Sequence, residues 1–160
     1  MAGEFVKFID QINSEVRNER NMRVALTTVM SAHKPRIFEK GQDANRGQIG
    51  TYGTKPISIS KAKQARNTGQ TYFPGGYAQY HGKIGKGSSK VILRNTDQMY
   101  MDYQIVSSGS GFGFGFQNSF NSEKAGWMTD KYDKEIFQIS DEELDLLGNV
   151  LVDQLNKAIG

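Results

Sequence analysis

The sequence predicts an α+β fold: a small antiparallel sheet with a central hairpin at about 99–118, packed by N-terminal and C-terminal helices, with a long glycine-rich basic loop or arm. Three observations predict it. Met99 to Asn118 reads as two strands joined at Ser108-Gly109-Ser110-Gly111, where glycine supplies the positive φ of a tight turn. An apolar stripe at helical spacing occupies the first thirty residues, and a capped, leucine-rich stripe closes the chain.

The hairpin comes first because it carries the most information. Tyr100, Tyr103, Ile105 and Val106 are strand formers on the outgoing side. The return alternates Phe112, Phe114 and Phe116 with Gly111, Gly113 and Gly115, so three rings share one face and bare backbone makes the other. Glycine costs a strand roughly 0.5–1 kcal/mol relative to alanine. Three in alternation imply a close approach to that face, by the C-terminal helix or by a neighbouring copy.

Residues 3 to about 32 are expected to be helical. Phe5, Ile9, Ile12 and Val16 define one stripe; Asn18 to Asn21 interrupt it; Met22, Leu26, Val29 and Met30 resume it. One bent helix or two consecutive ones satisfy this pattern, and Pro35 is expected to end it. Arg36-Ile37-Phe38 and Pro56 to Ser60 read as short strands, and Tyr72 to Tyr77 as a turn flanked by aromatics. Glycine is frequent from Gly41 to Gly87 and aliphatic residues are few, so 40–90 is expected to include an extended arm that orders on a partner. Val91-Ile92-Leu93 suggests a further strand, and Arg94 to Asp97 a turn.

After the hairpin, Asn121-Ser122 is expected to cap a short helix carrying Ala125, Trp127 and Met128. Glu135 to Ile139 alternates like a last strand. Ser140-Asp141-Glu142-Glu143 fits a capping box in which Ser140 caps and Glu143 reaches back, with Ile139 stapling to Leu144. Leu144, Leu147, Leu151, Leu155 and Ala158 then continue as one stripe.

Composition bounds the chemistry. The 160 residues suit one domain with a real core, 40–90 being an arm or loop insertion within it. There is no cysteine, hence no disulfide, thiolate metal site or cysteine nucleophile. Glu4 and Asp10 interrupt what a signal peptide requires, and no apolar run approaches the ~18 residues of a membrane span. The expected setting is intracellular or an assembled soluble particle. Net charge is +3 but uneven: residues 1–32 balance, 33–94 carry twelve basic against two acidic side chains, and 95–160 carry four against eleven. A basic middle and an acidic tail attract each other within or between chains, and the middle also suits nucleic acid.

No catalytic set emerges. His33 and His81 read as polar surface residues, and the carboxylates at 141–145 are explained by capping. Gly109 to Gly113 leads into a strand, whereas a phosphate loop must lead into a helix. Gly82 to Ser89 lacks Walker spacing. No metal or cofactor is expected. Positive charge at Lys61, Lys63 and Arg66, with Tyr72, Tyr77 and Tyr80 beyond, is the pattern of a stacking platform.

The order of features resembles the tail-completion, head–tail joining (virion morphogenesis) proteins of tailed bacteriophages. The resemblance rests on the helical N-terminus, Arg36-Ile37-Phe38-Glu39-Lys40-Gly41, Gly47-Gln48-Ile49-Gly50-Thr51-Tyr52, Gly76-Tyr77-Ala78-Gln79-Tyr80 and Val91 to Met99, followed by the hairpin and closing helix. Such proteins often have Thr-Gly where this chain has Thr96-Asp97. The resemblance implies a non-enzymatic virion protein of the phage neck: an oligomeric ring round the DNA channel, joining portal or adaptor to tail tube, assembled in the host cytoplasm. Lys55, Lys61, Lys63, Arg66, Tyr77, Tyr80, Lys83 and Lys86 are then expected to face a neighbouring subunit or the packaged DNA. The alternative expectation is a single-stranded nucleic-acid-binding module using the basic, aromatic region 55–94.

Overall fold

The structure, a computed structural model, describes residues 18–59, 69–87, 89–109 and 111–159, with Lys7, Asp10, Gln11, Asn13 and Ser14 as isolated helical positions before them. Among the described residues it is α+β, with an N-terminal and a C-terminal helix and two small antiparallel sheets.

Helix α1 runs Glu19–Phe38. Asn18 is extended and its side chain accepts from the Arg20 amide at 2.9 Å, so a fresh helix begins there. The expected stop at Pro35 is corrected: Pro35 lies inside α1, and Arg36-Ile37-Phe38 is its last turn, not a strand. An interior proline costs about 3 kcal/mol. Burying a large apolar side chain returns about 1.5–3 kcal/mol, and both Ile37 and Phe38 are fully buried. Packing therefore carries the helix through the proline.

Most of the expected arm is folded. Gln42 bridges to Gln48, Ile49 enters the core, and the Val91 amide donates to the Gly50 carbonyl at 2.9 Å. Strand β1 (Ile57–Ser58) pairs with β2 (Tyr72–Phe73), Ile57 facing Phe73. Helix α2 (Gly76–Lys83) follows. Its first residue has φ +66°, and a Cβ there would sit 2.4 Å from the Lys55 carbonyl oxygen, so only glycine lets the helix meet the 53–55 backbone. Phe73 and Tyr80 pack edge to face at 5.3 Å, and His81 stacks on Tyr52 at 3.9 Å. This aromatic cluster joins the main core through Tyr52.

The expected strand at 91–93 is absent; Val91 is buried but its amide is spent on Gly50, and Leu93 takes φ 52°. Helix α3 (Gln98–Asp102) precedes β3 (Tyr103–Ser108), so Tyr100 is helical rather than on the hairpin. Strand β4 (Gly111–Phe116) pairs with β3 in the register Tyr103–Phe116, Ile105–Phe114, Ser107–Phe112. The phenylalanine face lies on α1: Phe114 stacks on His33 at 4.7 Å and Arg23 sits over Phe112 at 4.8 Å. The glycine face does not receive the C-terminal helix. A Cβ on Gly113 would meet nothing within 4 Å, and one on Gly115 would meet only Val106 of the facing strand.

Helix α4 spans Ser119–Tyr132, longer than expected, and Asn118 rather than Asn121 caps it, accepting from the Phe120 amide at 2.9 Å. Asn121 is buried and donates to Asp102, tying α4 to α3. The expected strand at 135–139 is an extended segment instead. Ile136 is buried as its alternation implies, but the Ile136 and Gln138 carbonyls accept from Arg36, not from a neighbouring strand. Helix α5 (Asp141–Ile159) has its capping box: the Ser140 hydroxyl accepts from the Glu143 amide at 3.3 Å, and the Ser140 amide donates to the Glu143 carboxylate at 3.0 Å. Ile139 and Leu144, expected as a staple, are both exposed. Helix α5 packs along α1.

Candidate functional site

Neither histidine is on the surface. His33 is fully buried on α1, between Tyr103 and Phe114, and its expectation as a surface residue is corrected. Its Nδ1 donates to Glu143 Oε2 at 2.7 Å, and Nε2 lies 2.8 Å from the Tyr103 hydroxyl. One turn later on the same helix face, buried Arg36 donates from Nε to Glu143 Oε1 at 2.7 Å and from its terminal nitrogens to the Gln42 and Gln138 carbonyls. Burial raises the cost of ionising Glu143, but the bonds from His33, Arg36 and the Ser140 amide outweigh it and hold the carboxyl down at about 2. Burial pushes the Tyr103 hydroxyl well above the ordinary phenol range. Glu143 therefore caps α5 and pins it to α1 at once. A nucleophile–base arrangement would need substrate access, and every member here is closed off from solvent. The cluster organises the fold.

The residues expected to face partners are dispersed. Lys61, Lys63 and Arg66 lie outside the described residues. Lys55 is exposed beside the start of α2. Tyr77 is 46% exposed, whereas Tyr80 is only 2% exposed and belongs to the aromatic cluster, which corrects its expected partner-facing role. Lys83 is exposed and donates to Gln70. Lys86 is paired to Asp97 at 2.6 Å, and Arg94 bonds the same carboxylate at 2.8 Å. Burial works against ionising Asp97, yet the two cations keep its carboxyl below the usual range. Half-buried Lys86 thus neutralises its own chain. His81, also expected on the surface, is buried against Tyr52.

The most conspicuous surface was not anticipated. On α4, Phe120, Lys124, Trp127 and Lys131 recur at i, i+4, i+7 and i+11, which places them in one ridge. Phe120 is 50% and Trp127 57% exposed; their rings meet edge to face at 6.3 Å, and Lys124 Nζ stands 4.2 Å over Phe120. The opposite side of α4 buries Asn121 and Ala125. On α5, Leu147, Leu151 and Leu155 of the expected stripe are half-buried, but Leu144 at its start and Val152 outside it are both more than half exposed, and Gly148 between these two has nothing within 4 Å of where a Cβ would stand. The signal for the ridge was present in the sequence, but it needed the helix to start at Ser119, two residues before the expected cap.

Among the described residues no group of three His, Asp or Glu side chains is placed to hold a metal ion, and no helix is long and apolar enough to cross a membrane. Among the described residues, a hollow along α1 is lined by the segment from Asn18 to Thr28. Compared with protein-family models, with curated proteins and with solved structures, the chain has no match.

Proposed function

We propose that this chain is a structural assembly protein of a phage-type virion, a ring subunit in the neck that joins head connector to tail around the DNA channel. The observation that carries this reading is where the two kinds of side chain lie. The polar groups able to do chemistry, His33, Arg36, Tyr103 and Glu143, are buried and spent on the fold. Large apolar groups, Phe120, Trp127, Leu144 and Val152, stand on the outside of two helices. Contiguous exposed apolar surface is costly in water and marks sites of association.

The resemblance described above adds support at one backbone position. Family members often have glycine where this chain has Asp97, and Asp97 adopts φ 59°, ψ 0°, the left-handed conformation that glycine favours. The proposal is tested by the mass of the purified protein in solution and in particles. Charge reversal of Lys61, Lys63 and Arg66 is expected to impair ring or particle assembly while leaving the unfolding midpoint unchanged. A protein that stays monomeric at all concentrations, with or without its particle partners, overturns the proposal.

The second reading, a single-stranded nucleic-acid-binding module, draws on the exposed rings Tyr72 and Tyr77 near Lys55 and Lys83. Its stacking row is shortened by the burial of Tyr80. A titration separates the two: a binding module loses affinity steeply with salt and on removal of Tyr77.

A further inference from the structure

We infer that α4 and α5 are the two halves of one intersubunit contact: the aromatic–lysine ridge of α4 on one copy seats on the leucine–aspartate edge of α5 on the next. The inference rests on the assembly reading above and names the surfaces that would carry it. On α5, Leu144, Gly148 and Val152 form an i, i+4, i+8 row, and Asp141 and Asp145 flank it one turn apart. On α4, the ridge alternates aromatic rings with Lys124 and Lys131.

Shape and charge both match. The open space at Gly148 leaves a gap between two exposed aliphatic side chains eight residues apart, about 12 Å along the helix axis. Phe120 and Trp127 are seven residues apart, about 10 Å along a helix, and helices pack by setting such ridges into such grooves. Two lysines on the ridge meet two aspartates on the edge, and none of these four charges is ion-paired to a described residue. Lys124 is already held over the Phe120 ring, which reduces what it loses on docking.

Within one chain the two surfaces leave each other uncovered, since both are exposed in the same structure. In this contact each copy gives its ridge to one neighbour and its edge to the next, which makes it head to tail. Head-to-tail contacts propagate into rings or filaments, whereas a self-complementary patch stops at a dimer.

That asymmetry gives the test. One variant loses the ridge, Lys124→Glu with Trp127→Ala; another loses the edge, Leu144→Lys with Gly148→Lys. All four positions lie on outer faces, and helical circular dichroism and the urea midpoint check folding. Each variant alone is expected to be monomeric at concentrations at least tenfold above those at which the wild type assembles. Mixed in equal amounts, they are expected to form a one-to-one dimer and nothing larger, since one ridge and one edge remain intact. Variants that assemble like the wild type, or a mixture that stays monomeric, overturn the inference while leaving the assembly reading standing. A wild type that never associates overturns both. Should a double variant lose its helical signal, Trp127→Ser and Leu144→Ser carry the same expectation.

Discussion

Glu143 does three things with two oxygens: it closes a capping box, and it receives His33 and Arg36 at 2.7 Å each. Its carboxyl sits near 2 in the fold against an ordinary 4.5, and one unit is worth about 1.4 kcal/mol, so ionised Glu143 contributes about 3 kcal/mol to stability. A folded value below the unfolded one means that this contribution is complete above about pH 4.5. It is lost as pH falls from there towards 2. Unfolding in urea across that interval is expected to show the loss, and Glu143→Gln is expected to flatten the profile there. Glu143→Ala leaves buried Arg36 without its carboxylate and is expected to cost about 3–5 kcal/mol at pH 7, read as a drop in urea midpoint. This dual role was half legible. Ser140 followed by Glu143 announces the cap, but nothing in local spacing links Glu143 to His33, 110 residues earlier. Both histidines read as surface groups because a polar side chain is buried only when distant partners satisfy it, and those partners are invisible in one dimension.

At the scale of elements, the same limitation decides which boundaries were legible. Helix α5 announced itself because cap, acidic first turn and stripe are all local. The sequence predicts that α1 stops at Pro35, whereas the helix runs on to Phe38, because the compensation lies elsewhere, in the pocket that buries Ile37 and Phe38. Pro35→Ala restores the amide that proline lacks and gives back part of the ~3 kcal/mol penalty, offset by greater freedom of the unfolded chain. A gain of about 1–2 kcal/mol is the expected outcome in thermal or urea unfolding. The segments at 91–93 and 135–139 have strand-like side chains but spend backbone groups on Gly50, Ala44 and Arg36, so no sheet forms. The region 40–90 reads as an arm because few aliphatic residues mark it; the packing of its described residues relies on aromatic rings and on glycines that let backbones meet. Gly76→Ala tests that directly. The left-handed backbone alone costs roughly 1–2 kcal/mol, and the Cβ also collides with the 53–55 carbonyls. The Ala78 amide, which donates to Gly53 at 3.2 Å, is expected to lose its hydrogen-exchange protection while amides of α1 keep theirs.

For the whole molecule, charge is distributed along the chain as a gradient, +10 over residues 33–94 and −7 over 95–160. The fold uses some of it internally: Lys86 and Arg94 pair with Asp97, and Arg46 with Glu142. Lys124, Lys131, Asp141 and Asp145 remain at the rim of the exposed apolar faces. Charges at a rim steer the encounter of two surfaces, while the apolar centre holds them once they have met. Salt therefore acts on the two rates unequally. Raising ionic strength from about 0.01 to 0.5 M shortens the screening length from about 30 Å to under 5 Å. At the inferred α4–α5 contact, association is expected to slow by about tenfold or more, with dissociation changing little, in stopped-flow or light-scattering measurements of assembly and dilution. Trp127→Ala reverses the pattern: dissociation quickens and the salt dependence of association is retained. Equal salt sensitivity of both rates, or faster association at high salt, is incompatible with a contact whose lysine and aspartate rim surrounds an apolar centre.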